Sequence, residues 1–344
     1  MNRTALGVLA GLALLGWTVA RAVPETHGAP PVDAAWREAF RRPAAIPFPE
    51  RNPPSAEKLA LGRSLFFDAT LSRSRTITCA TCHNPSLGWG DGRPRAIGEA
   101  GAEMQLRSPT LLNLAWQEPL GWTGRFPDLE SVSFVPITSA MLMDLSEAEL
   151  IARLDATPAY REAFALAFPD GAVSRPNVED ALAVYVRSIV SADAPFDRWR
   201  AGDEAAVSAS AKAGFALFNG RARCAECHAG FAFTDGSFHD VGVGRGDDLG
   251  RGRAFPRSPR LQYAFKTPTL RNAAERAPYM HDGSVATLRA VIDLYDRGGI
   301  ERPSRSPEIR PLGLTETEKA DLLAFLDTLT SAATASVPPD ARPN

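Results

Sequence analysis

The sequence predicts a mainly α protein of two units with extensive loops, one unit built about each of two C-x-x-C-H segments. Three observations carry that expectation. The only four cysteines among the 344 residues form two pairs, Cys79/Cys82 and Cys224/Cys227, and each pair is followed at once by a histidine, His83 or His228. The phrase G-x-x-L-F precedes both segments, as Gly62-Arg63-Ser64-Leu65-Phe66 and as Gly214-Phe215-Ala216-Leu217-Phe218. Cys79 and Cys224 stand 145 residues apart, a reasonable length for one domain, so an internal duplication accounts for the pattern.

The chain opens Met1-Asn2-Arg3, runs through an apolar stretch from about Ala5 to Ala20, and reaches Ala20-Arg21-Ala22 before Val23. This order reads as a secretory signal peptide over residues 1–22. An uncleaved anchor is the competing reading, but this stretch is short of the ~20 apolar residues that span a bilayer. Residues 23–54, rich in Pro and Ala, form a meandering lead-in.

The first unit, 55–200, opens with a helix over 56–67 and reaches Cys79 through the polar turn Leu71-Ser72-Arg73-Ser74. Helical periodicity follows over 146–156, 159–167 and 177–191, with Ser146 as N-cap, Glu149 at N3, and Pro158 and Pro176 placed to begin or bound helices. The second unit, 201–330, repeats the plan from near Ala205, and 315–329 closes it as a helix capped by Thr315 and Glu318. Residues 331–344 are expected to be a flexible tail.

The formal charge is −2, and loss of residues 1–22 removes Arg3 and Arg21 and no acid, leaving −4. Such a surface argues against a nucleic-acid partner. The arginines of 245–260 and 297–310 are interleaved with Asp, Glu, Gly and Pro, which reads as solvated loop, with phosphate binding as the alternative.

Four cysteines in an exported chain are compatible with two disulfides or with one zinc site. C-x-x-C-H has a further mechanism: the two thiols form thioethers to the vinyl groups of a haem while the adjacent imidazole ligates its iron. Two such segments using every cysteine, behind an export signal, favour two covalently bound haem c groups, at Cys79, Cys82, His83 and at Cys224, Cys227, His228.

From about Leu59 to Leu329 the sequence resembles the dihaem cytochrome c peroxidase and MauG superfamily. The resemblance rests on LGRSLFFDATLSRSRTITCATCHNPSLGWGDG, SPTLLNLAW, GWTGRF, CAECHAGFAFTDGSFHDVGVG and FKTPTLRNAAERAPYMHDGSVATL, which occur in the family's order. It implies two cytochrome c-like haem domains, with His83 the proximal ligand of a peroxide-reactive haem and His228 that of an electron-transfer haem. It also implies that Trp122 in GWTGRF lies between the haems and carries electron holes across. Trp89, Trp116 and Trp199 are left unassigned, with surface hole exit as one role open to them.

The departures from the family are informative. The histidines are His27, His83, His228, His239 and His281, so none lies between the two motif histidines. The family position of the histidine that caps the resting reactive haem falls at Glu99, with Met104 the weaker alternative ligand, and an open first haem is expected, as in MauG-type enzymes. The family position of the second haem's distal methionine falls at Tyr295, and a phenolic ligand favours oxidised iron more than a thioether does. The distal glutamate position is Leu142, which cannot relay a proton. Asp144, Glu130 or water is then left to take that role. At the usual interhaem calcium, the Asn and Thr positions are Arg107 and Arg276, while the proline carbonyl survives at Pro278. Guanidinium groups repel a divalent cation and offer it no oxygen. Calcium retained through shifted ligands stands beside the reading that the arginines bind haem propionates. His239 and His281 are expected to hydrogen-bond backbone or propionate, with proton relay as the alternative, and His27 is incidental.

The function these features favour is MauG-like: hydrogen peroxide oxidises a residue, a tryptophan, on an exported partner protein in the periplasm. A subgroup tied to methanobactin systems and copper-binding partners is compatible with this composition. The alternatives are a cytochrome c peroxidase drawing on a cytochrome or cupredoxin donor, and a non-enzymatic dihaem electron carrier or sensor.

Overall fold

The computed structural model describes residues 34–331 and 334–336. The expected signal peptide, His27 and residues 337–344 lie outside the described residues. Helices dominate: α1 (Ala34–Ala39), α2 (Ala56–Phe67), α3 (Cys79–Cys82), α4 (Leu129–Ser133), α5 (Val135–Thr138), α6 (Glu147–Asp155), α7 (Pro158–Ala167), α8 (Arg175–Arg187), α9 (Pro195–Arg200), α10 (Ala209–Asn219), α11 (Leu288–Arg297) and α12 (Glu316–Asp327). The strands are minimal. β1 (Ile189–Ser191) pairs antiparallel with β4 (Thr334–Ser336), and β2 (Phe238–His239) with β3 (Phe265–Lys266). No helix among the described residues is long and apolar enough to cross a membrane.

Local chemistry sets the helix starts. Ser55, Ser146, Ser174, Ser208, Thr287 and Thr315 each accept a hydrogen bond from the backbone N–H three residues on, satisfying a donor the helix itself leaves free. At Thr315 the box closes, because Glu318 reaches back to the Thr315 N–H at 2.8 Å. Pro158 and Pro176 sit in the first turns of α7 and α8, where a missing N–H costs nothing.

The buried apolar residues form two cores. The first takes in Leu61, Leu65 and Phe66 of α2, Phe134, Leu150, Phe164, and Val178, Ala181, Leu182, Ala183 and Tyr185 of α8. The second gathers Phe196, Trp199, Phe215, Phe218, Phe233, Phe325 and Leu326. It reaches further back along the chain than residue 201, taking Phe196 and Trp199 from α9 and Phe40 from the lead-in.

The repeated glycine explains the repeated phrase. A Cβ on Gly62 would collide with the Ala181 carbonyl of α8, and one on Gly214 with the Asp321 carbonyl of α12. In each unit the G-x-x-L-F helix therefore lies backbone to backbone against a partner helix, with Phe66 or Phe218 buried beside the contact. At the C-terminus β4 pairs with β1 and gives its backbone groups partners.

Candidate functional site

In the first unit α3 is capped by Thr78, whose hydroxyl accepts from the Thr81 N–H at 3.1 Å. It presents Cys79 and Cys82 from one turn and ends at His83. The His83 Nδ1 lies 3.2 Å from the Trp89 carbonyl oxygen. A carbonyl only accepts, so Nδ1 carries the proton and Nε2 keeps its lone pair. In the second unit, His228 Nδ1 lies 2.9 Å from the Phe233 carbonyl and is fixed in the same tautomer. Burial lowers the pKa of both imidazoles, which keeps them neutral and fit to ligate a metal.

No disulfide joins the four cysteines in this structure. Zinc is disfavoured. Among the described residues no cluster of potential ligands contains more than one cysteine. Burial also pushes the Cys79 and Cys224 thiols up to about 12, against the thiolates that zinc requires. A thioether carries no charge and suits such an environment.

A cavity of about 260 Å³ is lined by Cys224, Cys227 and His228 of the second unit and by Gly90, Ser108 and Trp122 of the first. Its lining is largely apolar. Tyr295, on α11, lies on this cavity with the second C-x-x-C-H trio, and burial pushes its phenol pKa upward. Its partial exposure is to the cavity. Among the described residues four buried side-chain atoms have no hydrogen-bond partner, Arg107 Nε on this cavity and Trp89 Nε1, Arg200 Nε and Thr330 Oγ1 away from its lining. Neutral histidines, neighbouring cysteines, a largely apolar cavity and the unpaired Arg107 Nε together fit a bulky, mostly apolar group bearing a few polar substituents, as haem is.

The two units are related more closely than the cysteine motifs alone indicate. The stretch from Arg107 to Phe126 matches that from Lys266 to Val285 at a constant spacing of 159 residues, a repeat whose sequence signal is Pro109-Thr110-Leu111 against Pro268-Thr269-Leu270. Thr110 donates to the Gly88 carbonyl at 2.7 Å and Thr269 to the Ala232 carbonyl at 2.5 Å, fastening each stretch to the loop after its own C-x-x-C-H. Asn113 and Asn272 both adopt left-handed backbone, with φ of 60° and 55°, which asparagine tolerates better than most residues. The stretches then cross: the Arg107 N–H donates to His281 at 3.0 Å and the Lys266 N–H to Trp122 at 2.8 Å.

The expected site residues fall into three groups. Trp122, Tyr295, Cys224, Cys227 and His228 share the cavity, while Cys79, Cys82 and His83 are not among its lining residues. Trp122 donates from Nε1 to the Arg107 carbonyl at 3.0 Å. The candidate acids are engaged elsewhere. Glu130 is buried, paired with Arg187 and accepting from Asn52 at 3.0 Å, and Asp144 pairs with Arg73 at 2.9 Å. Glu99 accepts from the Ser74 hydroxyl at 2.8 Å, and its backbone N–H donates to the carbonyl of Leu142 at 2.7 Å. Met104 sits on the same loop, its N–H bonded to the Ala96 carbonyl.

His239 and His281 depart from expectation, since carboxylates rather than backbone hold them. His239 Nε2 is 2.8 Å from Asp235, and His281 Nε2 is 2.6 Å from Asp248 while its ring stacks on Phe265 at 3.5 Å. The Asp235 hydrogen bond raises His239 to about 10, with the Cys227 sulfur the next contributor.

Comparison with known proteins follows the same division. Residues 56–205 match the family described as di-haem cytochrome c peroxidase, and 211–330 match cytochrome c. The chain is 49% identical to the methylamine utilization protein MauG of Methylorubrum extorquens (strain AM1), over 86% of this chain and 84% of that protein. It is 35% identical to the cytochrome-c peroxidase IdrP1 of Pseudomonas sp. (strain SCT), over 83% of each. Its fold is similar to the crystal structure of a MauG-like protein associated with microbial copper homeostasis, with a TM-score of 0.79, 33% identity, and coverage of 85% of this chain and 94% of that one.

Proposed function

Because this chain belongs to the di-haem cytochrome c peroxidase family that contains the MauG proteins, we propose that it uses hydrogen peroxide to oxidise a residue, a tryptophan, on an exported partner protein. It is an enzyme, a di-haem c-type peroxidase or oxidoreductase. The observation that carries the reading is the Tyr295 phenol on the same cavity as Cys224, Cys227 and His228, a cavity that Trp122 also lines.

Two haem c groups, when bound, supply the redox chemistry with peroxide. His83 and His228 would hold them as iron ligands, each imidazole oriented by the carbonyl at its Nδ1. Tyr295 would be positioned to contribute its phenol oxygen to a haem held at the His228 site, where a metal-bound phenolate, a hard anionic donor, would favour the oxidised state. No histidine lies between His83 and His228, and the Glu99 carboxylate is held by Ser74, so the His83 site keeps an open face for peroxide. Overall, two electrons and two protons leave the partner's residue, the peroxide O–O bond breaks, and the oxygen leaves in water or enters the oxidised side chain. Trp122 lies on the route between the sites, so a partner docked on the surface need not reach either haem.

Leu142 removes the family's acid, and the pairing of Glu130 and Asp144 leaves ordered water as the proton carrier beside His83. The signal-like residues 1–22 support a periplasmic location. A copper-binding partner, in the methanobactin-associated manner, draws support from the likeness to the copper-homeostasis protein. The second reading, peroxide reduction with a cytochrome or cupredoxin donor, draws on the likeness to IdrP1.

The test combines the holoenzyme, coexported candidate proteins and stoichiometric peroxide, followed by peptide mapping. New oxygen-containing masses at one site on one partner are expected. Peroxide turnover with a small redox donor, and no site-specific change on any partner, would establish the second reading instead.

A further inference from the structure

Three cations, Arg107, Lys266 and Arg276, line the cavity, and none forms an ion pair with a carboxylate among the described residues. Arg107 and Lys266 are each 8% exposed and occupy equivalent positions in the two units. Each crosses to the other unit: Arg107 donates from Nη2 to the Arg276 carbonyl at 3.0 Å, and Lys266 donates from Nζ to the Gln117 carbonyl and to that of Pro119 at 2.6 Å. Gln117 and Arg276 are themselves equivalent positions, so the exchange is reciprocal. Arg276, the third cation, donates only to backbone carbonyls, those of Asn272 at 3.2 Å, Thr269 at 2.6 Å and Arg271 at 3.0 Å. Arg107 Nε has no partner.

Buried cations satisfied by carbonyl dipoles alone are expensive, and proteins ordinarily pair them with an anion. The strain shows in their acidity. Burial, with the charge of Arg107 beside it, brings Arg276 down to about 10, and burial brings Lys266 down to about 8. Elsewhere in this chain buried arginines do have carboxylates, Arg187 with Glu130 and Arg271 with Asp197 at 2.6 Å. The cavity cations therefore await an anion that the polypeptide does not supply.

We propose that Arg107, Lys266 and Arg276 form a shared cationic bridge that receives the propionate carboxylates of both haems. The inference rests on the two-haem reading above. Haem carries two carboxylates on an otherwise apolar ring, so two haems bring the missing counter-charge to an apolar cavity that these cations line. Because Arg107 and Lys266 are exchanged between units, the bridge also locks the units together once the haems are in place.

The test uses the holoprotein and variants Arg107→Gln, Arg276→Gln and Arg107→Lys, with spectroelectrochemical titration of both haems. Arg276→Gln copies the residue at its equivalent position 117, and Arg107→Lys copies that at 266. Loss of a cation beside a propionate disfavours the reduced haem and raises the propionate pKa. In both Gln variants at least one midpoint potential is expected to fall. It is also expected to acquire a pH dependence between about pH 6 and 8 that the wild type lacks, while Arg107→Lys retains wild-type behaviour. Unchanged midpoints and unchanged pH dependence in both Gln variants, with two haems attached, would overturn the bridge. Fewer than two haems on the wild-type protein by haem stain and intact mass would overturn the underlying reading itself. If a Gln variant loses haem, the partner variant and the lysine rescue decide the matter.

Discussion

Trp122 and His281 occupy equivalent positions in the two units and meet edge to face across the junction, with ring centroids 6.4 Å apart and planes at 70°. The duplication thus places an indole from one unit beside an imidazole from the other. The His281 ring in turn stacks on Phe265 and is held by Asp248. An indole is far easier to oxidise than a phenyl ring, so its position on the cavity matters for moving holes.

Trp122→Phe keeps an aromatic ring at this junction but removes the readily oxidised indole and its hydrogen bond to the Arg107 carbonyl. Haem attachment is expected to survive, while charge sharing between the haems after peroxide addition weakens. Stopped-flow spectra measure it, and wild-type kinetics in the variant would remove Trp122 from the route.

Tyr295→Phe deletes one oxygen on the cavity that holds the His228 site. With haem bound, the His228 site is expected to be low-spin and the His83 site high-spin, and the variant is expected to change the low-spin electron paramagnetic resonance signal while keeping the high-spin one. An identical low-spin signal would exclude Tyr295 as a ligand.

Glu130 separates a structural role from a proton-handling one. Burial by itself would raise its carboxyl, but hydrogen bonds from Arg187 and Asn52 outweigh that and hold it below the ordinary carboxylate value. A lowered folded-state pKa contributes stability above the unfolded value near 4.5 and loses it as pH falls through the folded value. Glu130→Gln leaves Arg187 buried without its main counter-ion, a loss of about 3 kcal/mol near neutral pH. The variant should be markedly less stable at pH 7, and its deficit should shrink in acid. Denaturant melts across pH measure this. A loss of peroxide reactivity without any loss of stability would show a proton-handling role instead.

Gly62→Ala and Gly214→Ala each place a methyl group against a helix carbonyl, of Ala181 and Asp321 respectively. Each is expected to cost about 1–3 kcal/mol, because the helices must separate to admit it. Urea melts compare them with Gly101→Ser, where no atom lies within 4 Å of the added Cβ and only the positive φ of 77° opposes substitution. Wild-type stability in both alanine variants would mean that the repeated glycine has some other role.

What the sequence determined by itself is local. Each cysteine pair and its histidine lie within five residues, so the attachment chemistry needs no tertiary information, and the serine and threonine caps mark helix starts because their partners are three residues away. The G-x-x-L-F repeat announced two units. Tertiary structure decided everything that depends on residues far apart in the chain. Glu130 and Asp144 could be proposed as acids from sequence, but only folding brings Arg187 and Arg73 against them. His239 and His281 looked suited to backbone partners until the fold supplied Asp235 and Asp248. The second core takes Phe40, Phe196 and Trp199 because burial follows shape rather than motif boundaries. The reciprocal exchange of Arg107 and Lys266 exists only at the junction of the units, where excluded water makes an unpaired cation costly and gives two ordinary basic residues a role.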